Sequence, residues 1–209
     1  MSTVLALDLS TPRGHIAVLR GEAVVYEQAF TSHRSHNSLL YAPLAQALDI
    51  AGADLEKLII GTGPGSYTGV RISIAAAQGV ALSRQVPLVG LCSLVTLSDE
   101  ADYLVAGDAR RGKFYSAQVC HGLLIEDITL HEADSLQAWL AARPGLPCFT
   151  SDATAPLGID RILSTPPSAV LLARHGSALT ESDHDLQPIY VQDAFITQAK
   201  DRGARTPRP

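Results

Sequence analysis

Apolar runs separated by short turn signals recur along this chain in an order that repeats. Residues 3–9 form an apolar stretch of strand character, residues 10–14 carry Pro12 and Gly14, and residues 15–20 resume the apolar run before Gly21. Residues 24–30 supply a third strand, so two successive hairpins are predicted. The same order returns about a hundred residues later: an apolar run at 103–106, Asp108, a turn at 110–112, a strand at 113–119, Gly122, and a strand at 123–130. An Asp ends the first strand of each half.

Helices follow the third strand both times. Ser35 opens one that runs to about Ala51, and Asp134 or Ser135 opens a shorter one to about Arg143. Strands at 58–61 and 146–150 come next, which makes the plan β-β-β-α-β twice with a boundary near residues 98–102. Strands alternating with helices predict an α/β protein with mixed sheets. Two units are expected, residues 1–98 and a smaller one at 99–196. Residues 197–209 read as a disordered basic tail whose Lys200, Arg202, Arg205 and Arg208 are a solvated terminus before they are an RNA-binding arm.

Composition narrows the class. A hydrophobic fraction of 46% with 18% charged residues describes a soluble globular chain, and a formal charge of −5 gives no general reason to hold a polyanion. Cys92, Cys120 and Cys148 are widely spaced and include no CxxC pair, so neither a disulfide framework nor a zinc site is suggested and a reducing cytoplasm fits. The start lacks a basic n-region and Asp8 interrupts its apolar run, so it reads as a strand and not a signal peptide. No membrane association is expected.

The strongest local signal is GTGPGSYTGVR, from Gly61 to Arg71, between a strand and a long helix. Gly63, Gly65 and Gly69 permit close backbone approach, and Ser66 or Thr68 is the candidate N-cap. Its spacing fits neither a P-loop nor GxGxxG. Phosphate contact and a purely structural turn stand as equal readings. Asp8 with Ser10 and Thr11 suits a metal–nucleotide contact, with Asp108 in the matching place, but turn capping explains both aspartates at least as well.

Catalytic chemistry is hard to find. His33 and His36 lack an acidic companion, no GxSxG is present, and no acid–base set stands out. Apolar surface, by contrast, is in surplus. At 100° per residue, the apolar positions of residues 36–51 cover an arc of roughly 200°, about twice what one sheet requires. Residues 72–83 contain no charge, and that helix is expected to be buried on most sides. Either a partner covers this surface or the segment 168–179 does.

Several segments taken in order resemble the TsaB (YeaZ) family, within the TsaD/Kae1/TsaB glycoprotease-like group. They are LALDLST, the His36-x-x-Leu-Leu helix start, GTGPGSYTGVRISIAAAQGVAL, VPLVGLCSL, GDARRGKFYSA and QPIYVQ, and the match extends to about residue 193. Tyr67 stands where Phe is commoner, and Val191 and Gln192 replace a usual Leu-Arg.

The resemblance implies a duplicated actin/Hsp70/sugar-kinase-like fold with a reduced second half. It implies a non-catalytic subunit that heterodimerises with and activates the catalytic TsaD, with TsaE binding the complex, in forming threonylcarbamoyladenosine beside the tRNA anticodon. TsaD-like relatives carry an HxxxH metal pair, whereas Leu40 follows His36 by four residues here, so no metal is expected. The family's pairing helices map onto residues 36–51 and 69–84, which nominates His36, Leu39, Leu40, Pro43, Ala47, Ile50, Val70, Arg71, Ile74, Ala75, Ala77, Gln78 and Leu82 as interface positions. A homodimer could use the same face when TsaD is absent, and tRNA would be met only through the complex. Asp8, Ser10, Thr11, Gly63, Gly65, Ser66, Thr68, Gly69, Asp108 and Arg110 form the candidate nucleotide-facing set, with no cofactor required by this chain and room for ATP or ADP at the joint with TsaD. The competing reading is a nucleotide-hydrolysing sugar-kinase-like enzyme or a peptidase.

Overall fold

The structure, a computed structural model, describes residues 2–31, 36–180 and 186–192, with side chains from residue 39 onward in the first helix. The expected basic tail and His33 lie outside the described residues. Among them, no helix is long and apolar enough to cross a membrane.

The first half folds as β1 (Thr3–Asp8), β2 (Arg13–Arg20), β3 (Ala23–Thr31), α1 (His36–Ala51), β4 (Leu55–Gly61), α2 (Tyr67–Arg84) and β5 (Leu88–Leu91). Its five-stranded sheet has the order β3-β2-β1-β4-β5, antiparallel through the two hairpins and parallel from β1 to β4 to β5. The central strand β1 is buried along its whole length because helices cover both faces of the sheet. Leu5 and Leu7 point to one face, under α1, while Val4 and Ala6 point to the other.

The second half comprises β6 (Asp102–Arg110), β7 (Lys113–Cys120), β8 (Leu123–Leu124), β9 (Thr129–His131), α3 (Ala133–Ala141), β10 (Cys148–Thr150) and β11 (Ile162–Ser164). Its sheet order, β11-β10-β6-β7-β8 with β9 also on β7, repeats that of the first half strand for strand. The counterpart of α2 is a single 3₁₀ turn at Pro156–Gly158, so the second half is the reduced copy. The repeat extends one strand beyond the sequence pattern, since β11 is too short to register as an apolar run.

Two expectations need correction. The strand at 123–130 is interrupted: β8 pairs with Val119 and Cys120, β9 pairs with residues 114–116 of β7, and the register slips across the exposed Glu126–Asp127 corner. The segment 168–179 does not cover α1 and α2. It forms α4 (Ala169–Ser177), capped by Ser168 Oγ accepting from Leu171 N, and packs Ala169, Leu172 and Ala173 on the opposite face of the first sheet. Three contacts hold it there. His15 Nδ1 accepts from Ala169 N at 3.0 Å, Gly176 leaves room for Ile59, and Lys57 Nζ donates to the Ser177 and Leu179 carbonyls at the helix C-terminus, whose partial negative charge favours a cation.

Candidate functional site

A cleft of about 590 Å³ lies where the two halves meet. Ser10, Thr11, Gly65 and Ser66 line one wall, Asp108, Arg110, Arg111, Tyr115 and Asp152 the other, and the closing segment Ile189 to Gln192 runs along its edge. Six members of the expected nucleotide-facing set are therefore brought together: Ser10, Thr11, Gly65, Ser66, Asp108 and Arg110.

Asp8 is not among the lining residues. Its side chain turns inward, 2% exposed, and Oδ1 accepts from both the amide and the hydroxyl of Ser10 at 2.7 and 2.6 Å. Asp108 Oδ1 accepts from Arg110 N at 2.7 Å in the same way. Both aspartates hold the turn that follows their strand, which is the capping role that Asp performs in ordinary loops. Asp8 Oδ2 is buried without a hydrogen-bond partner, and a Cβ on Gly61 would lie 1.8 Å from it.

The glycine loop is explained by contacts within the chain. A Cβ on Gly65 would meet Ser10 O at 2.0 Å, and one on Gly69 would meet Leu9 O at 2.1 Å, so these glycines let the loop lie against the backbone of the first turn. Ser66 N donates to Ser10 O at 2.6 Å, Gly63 N to Ser93 Oγ at 3.0 Å, and Gly69 N to the N-cap Ser66 Oγ at 3.1 Å. The Gly63, Ser66 and Gly69 amides are thus engaged within the chain. Gly63, at φ 87, is buried behind Pro64, and Thr68 is exposed in the first turn of α2.

Across the cleft, Asp152 accepts from Asp108 N at 2.6 Å, and burial, reinforced by the Asp108 charge, raises its carboxyl above the usual range. Burial also raises the Tyr115 phenol, whose ring lies over Gly107. Neither Asp152 nor Tyr115 was singled out by sequence reasoning. Their signal, a hydroxyl-rich strand end opposite Asp108, exists only once β10 is placed beside β6. The Val191–Gln192 departure falls at this edge, where Gln192 Nε2 approaches Arg110 O at 3.5 Å.

The helices present a second surface. Leu40, Pro43 and Ala47 of α1 and Val70, Ile74 and Ala77 of α2 are buried against this chain's own sheet. Ile72, Ala76 and Val80 turn toward α1, so each helix absorbs part of the other's apolar surplus. Within this chain alone, α2 buries only Gly69, Val70, Ser73, Ile74 and Ala77. Arg71, Ala75, Gln78 and Leu82 line an open stripe at spacings of four, three and four residues, with Leu82 83% exposed. Leu39, Tyr41 and Ile50 stay exposed on α1, and the His36 side chain lies outside the described residues.

At the head of this stripe, Tyr67 and Tyr190 stack with centroids 5.3 Å apart, and the Arg71 guanidinium lies 4.1 Å over Tyr67. Arg71 Nε donates to Tyr190 Oη at 3.0 Å, joining α2 to the closing segment.

The model of the TsaD family, described as tRNA N6-adenosine threonylcarbamoyltransferase, matches residues 19–156. The TsaB protein of Bacillus subtilis is 36% identical over 149 residues, covering 66% of this chain and 64% of that one. An uncharacterized protein of Mycobacterium tuberculosis is 36% identical over 132 residues, 59% of this chain and 62% of that one. The alignments therefore span less than two thirds of these relatives' length. Among solved structures, an uncharacterized Pseudomonas aeruginosa protein with similarity to peptidase YeaZ superposes with a TM-score of 0.70 at 26% identity, over 92% of this chain and 100% of that one. YeaZ from the same organism gives 0.67 at 24% identity, over 91% and 100%, which is evidence of shared fold. The segments that carry the sequence resemblance, the duplicated sheets and these matches agree, and the chain belongs to the TsaD family, in its TsaB/YeaZ branch.

Proposed function

We propose that this chain is a non-catalytic subunit required for forming the threonylcarbamoyl group on the tRNA adenosine beside the anticodon. It docks the outer face of α1 and α2 on a catalytic TsaD subunit and holds that subunit in its active shape, with TsaE binding the complex. The observation that carries this reading is the open stripe of α2 ending in Leu82, together with the exposed Leu39 and Ile50 of α1. An open stripe at coiled-coil spacing on α2 that carries the exposed Leu82, with further exposed apolar side chains on α1, suits a helical partner surface. The names of the relatives supply the pathway. In the cleft, the buried Asp8 carboxylate is directed away from the lining, which favours a scaffold over a nucleotide-hydrolysing enzyme.

Reconstitution of tRNA modification from purified TsaD, TsaE and the adenylate-forming enzyme, with and without this chain, tests the proposal. Modification should require the chain and be lost with Leu82→Glu. Undiminished modification without it overturns the role, and ATP turnover by the chain alone that Asp8→Asn removes favours the enzyme instead.

A further inference from the structure

Outside the cleft and the helix face, one group of side chains converges without serving either. Asp102 opens β6, Cys120 closes β7, and the two stand directly opposite each other in the antiparallel pair. His121 follows at the first position of the two-residue turn into β8. The Asp102 carboxylate, the Cys120 thiol and the His121 imidazole each bring a ligand atom within 4.8 Å of the others. We propose that these three residues bind a borderline divalent transition cation of the zinc type, with water in the remaining coordination position.

The chemistry of the donors selects the ion. A thiolate and an imidazole disfavour magnesium and calcium, which take oxygen ligands, whereas one sulfur, one nitrogen and one carboxylate oxygen suit a tetrahedral zinc or cobalt ion that keeps a solvent position. The cation would take the place of the proton on the Cys120 sulfur, and that proton passes to solvent. Of the three cysteines, Cys92 and Cys148 are buried and Cys120 is half-buried at the sheet end.

The internal repeat provides a control for what the fold alone requires. In the first half, Thr3 pairs with Arg20 where Asp102 pairs with Cys120, and Gly21 N donates to Ser2 O at 2.8 Å where His121 N donates to Ala101 O at 2.6 Å. Gly21 and His121 share a left-handed backbone, φ 57 and φ 49. The turn needs only a residue that tolerates positive φ, which glycine does at least cost. The second half instead places an imidazole there, beside a thiol and a carboxylate, at three positions where the first half has no comparable donor set. Sequence spacing hides the arrangement, since Asp102 is supplied by the neighbouring strand. Bound, the ion would clip the start of β6 to the β7–β8 turn.

The test is cobalt titration of the full chain, untagged, reduced and treated with chelator, followed by displacement with zinc. A single equivalent of cobalt should produce a thiolate-to-cobalt charge-transfer band in the near ultraviolet. Cys120→Ser should abolish the band. His121→Gly, which gives the turn the residue its counterpart already uses, should leave the circular dichroism spectrum unchanged and weaken cobalt binding roughly tenfold or more, as should Asp102→Asn. Absence of the band in the unaltered chain, its persistence in Cys120→Ser, or an unchanged affinity in His121→Gly overturns the site.

Discussion

Asp8 and Gly61 face each other so closely that only hydrogen separates the Gly61 Cα from the carboxylate: a Cβ there would lie 1.8 Å from Oδ2 and 2.5 Å from Cγ of Asp8. The carboxylate cannot retreat, because Oδ1 is fixed by Ser10 and the side chain is buried. Gly61→Ala should therefore destabilise the chain by about 1–3 kcal/mol in urea denaturation, through overpacking at the junction of β1 and β4. Combined with Asp8→Ala, part of that loss should return, a non-additivity that a double-mutant cycle measures.

Leu82 and Ile74 lie on the same helix and should separate binding from folding. Leu82→Glu removes an exposed side chain and should leave the unfolding free energy within about 0.5 kcal/mol of the parent while abolishing co-purification with TsaD. Ile74, 7% exposed and packed with Ile60, Val70 and Ala77, reports on the core instead. A charge at that position should unfold the chain, as seen by circular dichroism.

His131 makes stability depend on pH. Its Nε2 and Nδ1 bond to the Ser116 and Ser135 hydroxyls at 2.7 and 3.0 Å, and burial, with a smaller contribution from the Arg143 charge, lowers its pKa. Burial likewise lowers that of His175. A depressed imidazole binds fewer protons folded than unfolded, so its contribution is present above the ordinary value near 6.5 and is lost as pH falls through the folded value. The urea midpoint should decline as pH drops from about 7 toward 5. His131→Gln should flatten that slope while lowering the midpoint at neutral pH.

Tyr190 couples the closing segment to α2. Removing its ring in Tyr190→Ala leaves Tyr67 unstacked and Arg71 Nε without this acceptor. The Ile189 amide, which donates to Thr62 O at 2.8 Å, should then exchange with solvent roughly fivefold faster, while amides of β1 keep their protection. Equal acceleration throughout the first sheet would show that the segment and the sheet open together.

The order of strands along the chain, the two hairpins in each half, the Asp that closes β1 and its counterpart Asp108 in β6, and a hydroxyl cap at Ser66 or Thr68 are all set within a few residues of chain. Turn chemistry and the alternation of apolar positions therefore determine them, and they are legible in the sequence. Hydrophobic periodicity also marks Leu40, Leu44 and Ala47 as sharing a face. It does not say what covers that face. Only the tertiary structure decides that α4 returns to the far side of the first sheet, that α1 and α2 shield each other's flanks, and that Leu82 is left outside. It likewise decides that Gly65 and Gly69 serve the backbone of Ser10 and Leu9, and that Asp102 meets Cys120 and His121. Each of these depends on residues far apart in the chain meeting in space, whereas side-chain spacing along one element fixes only the direction in which each residue points.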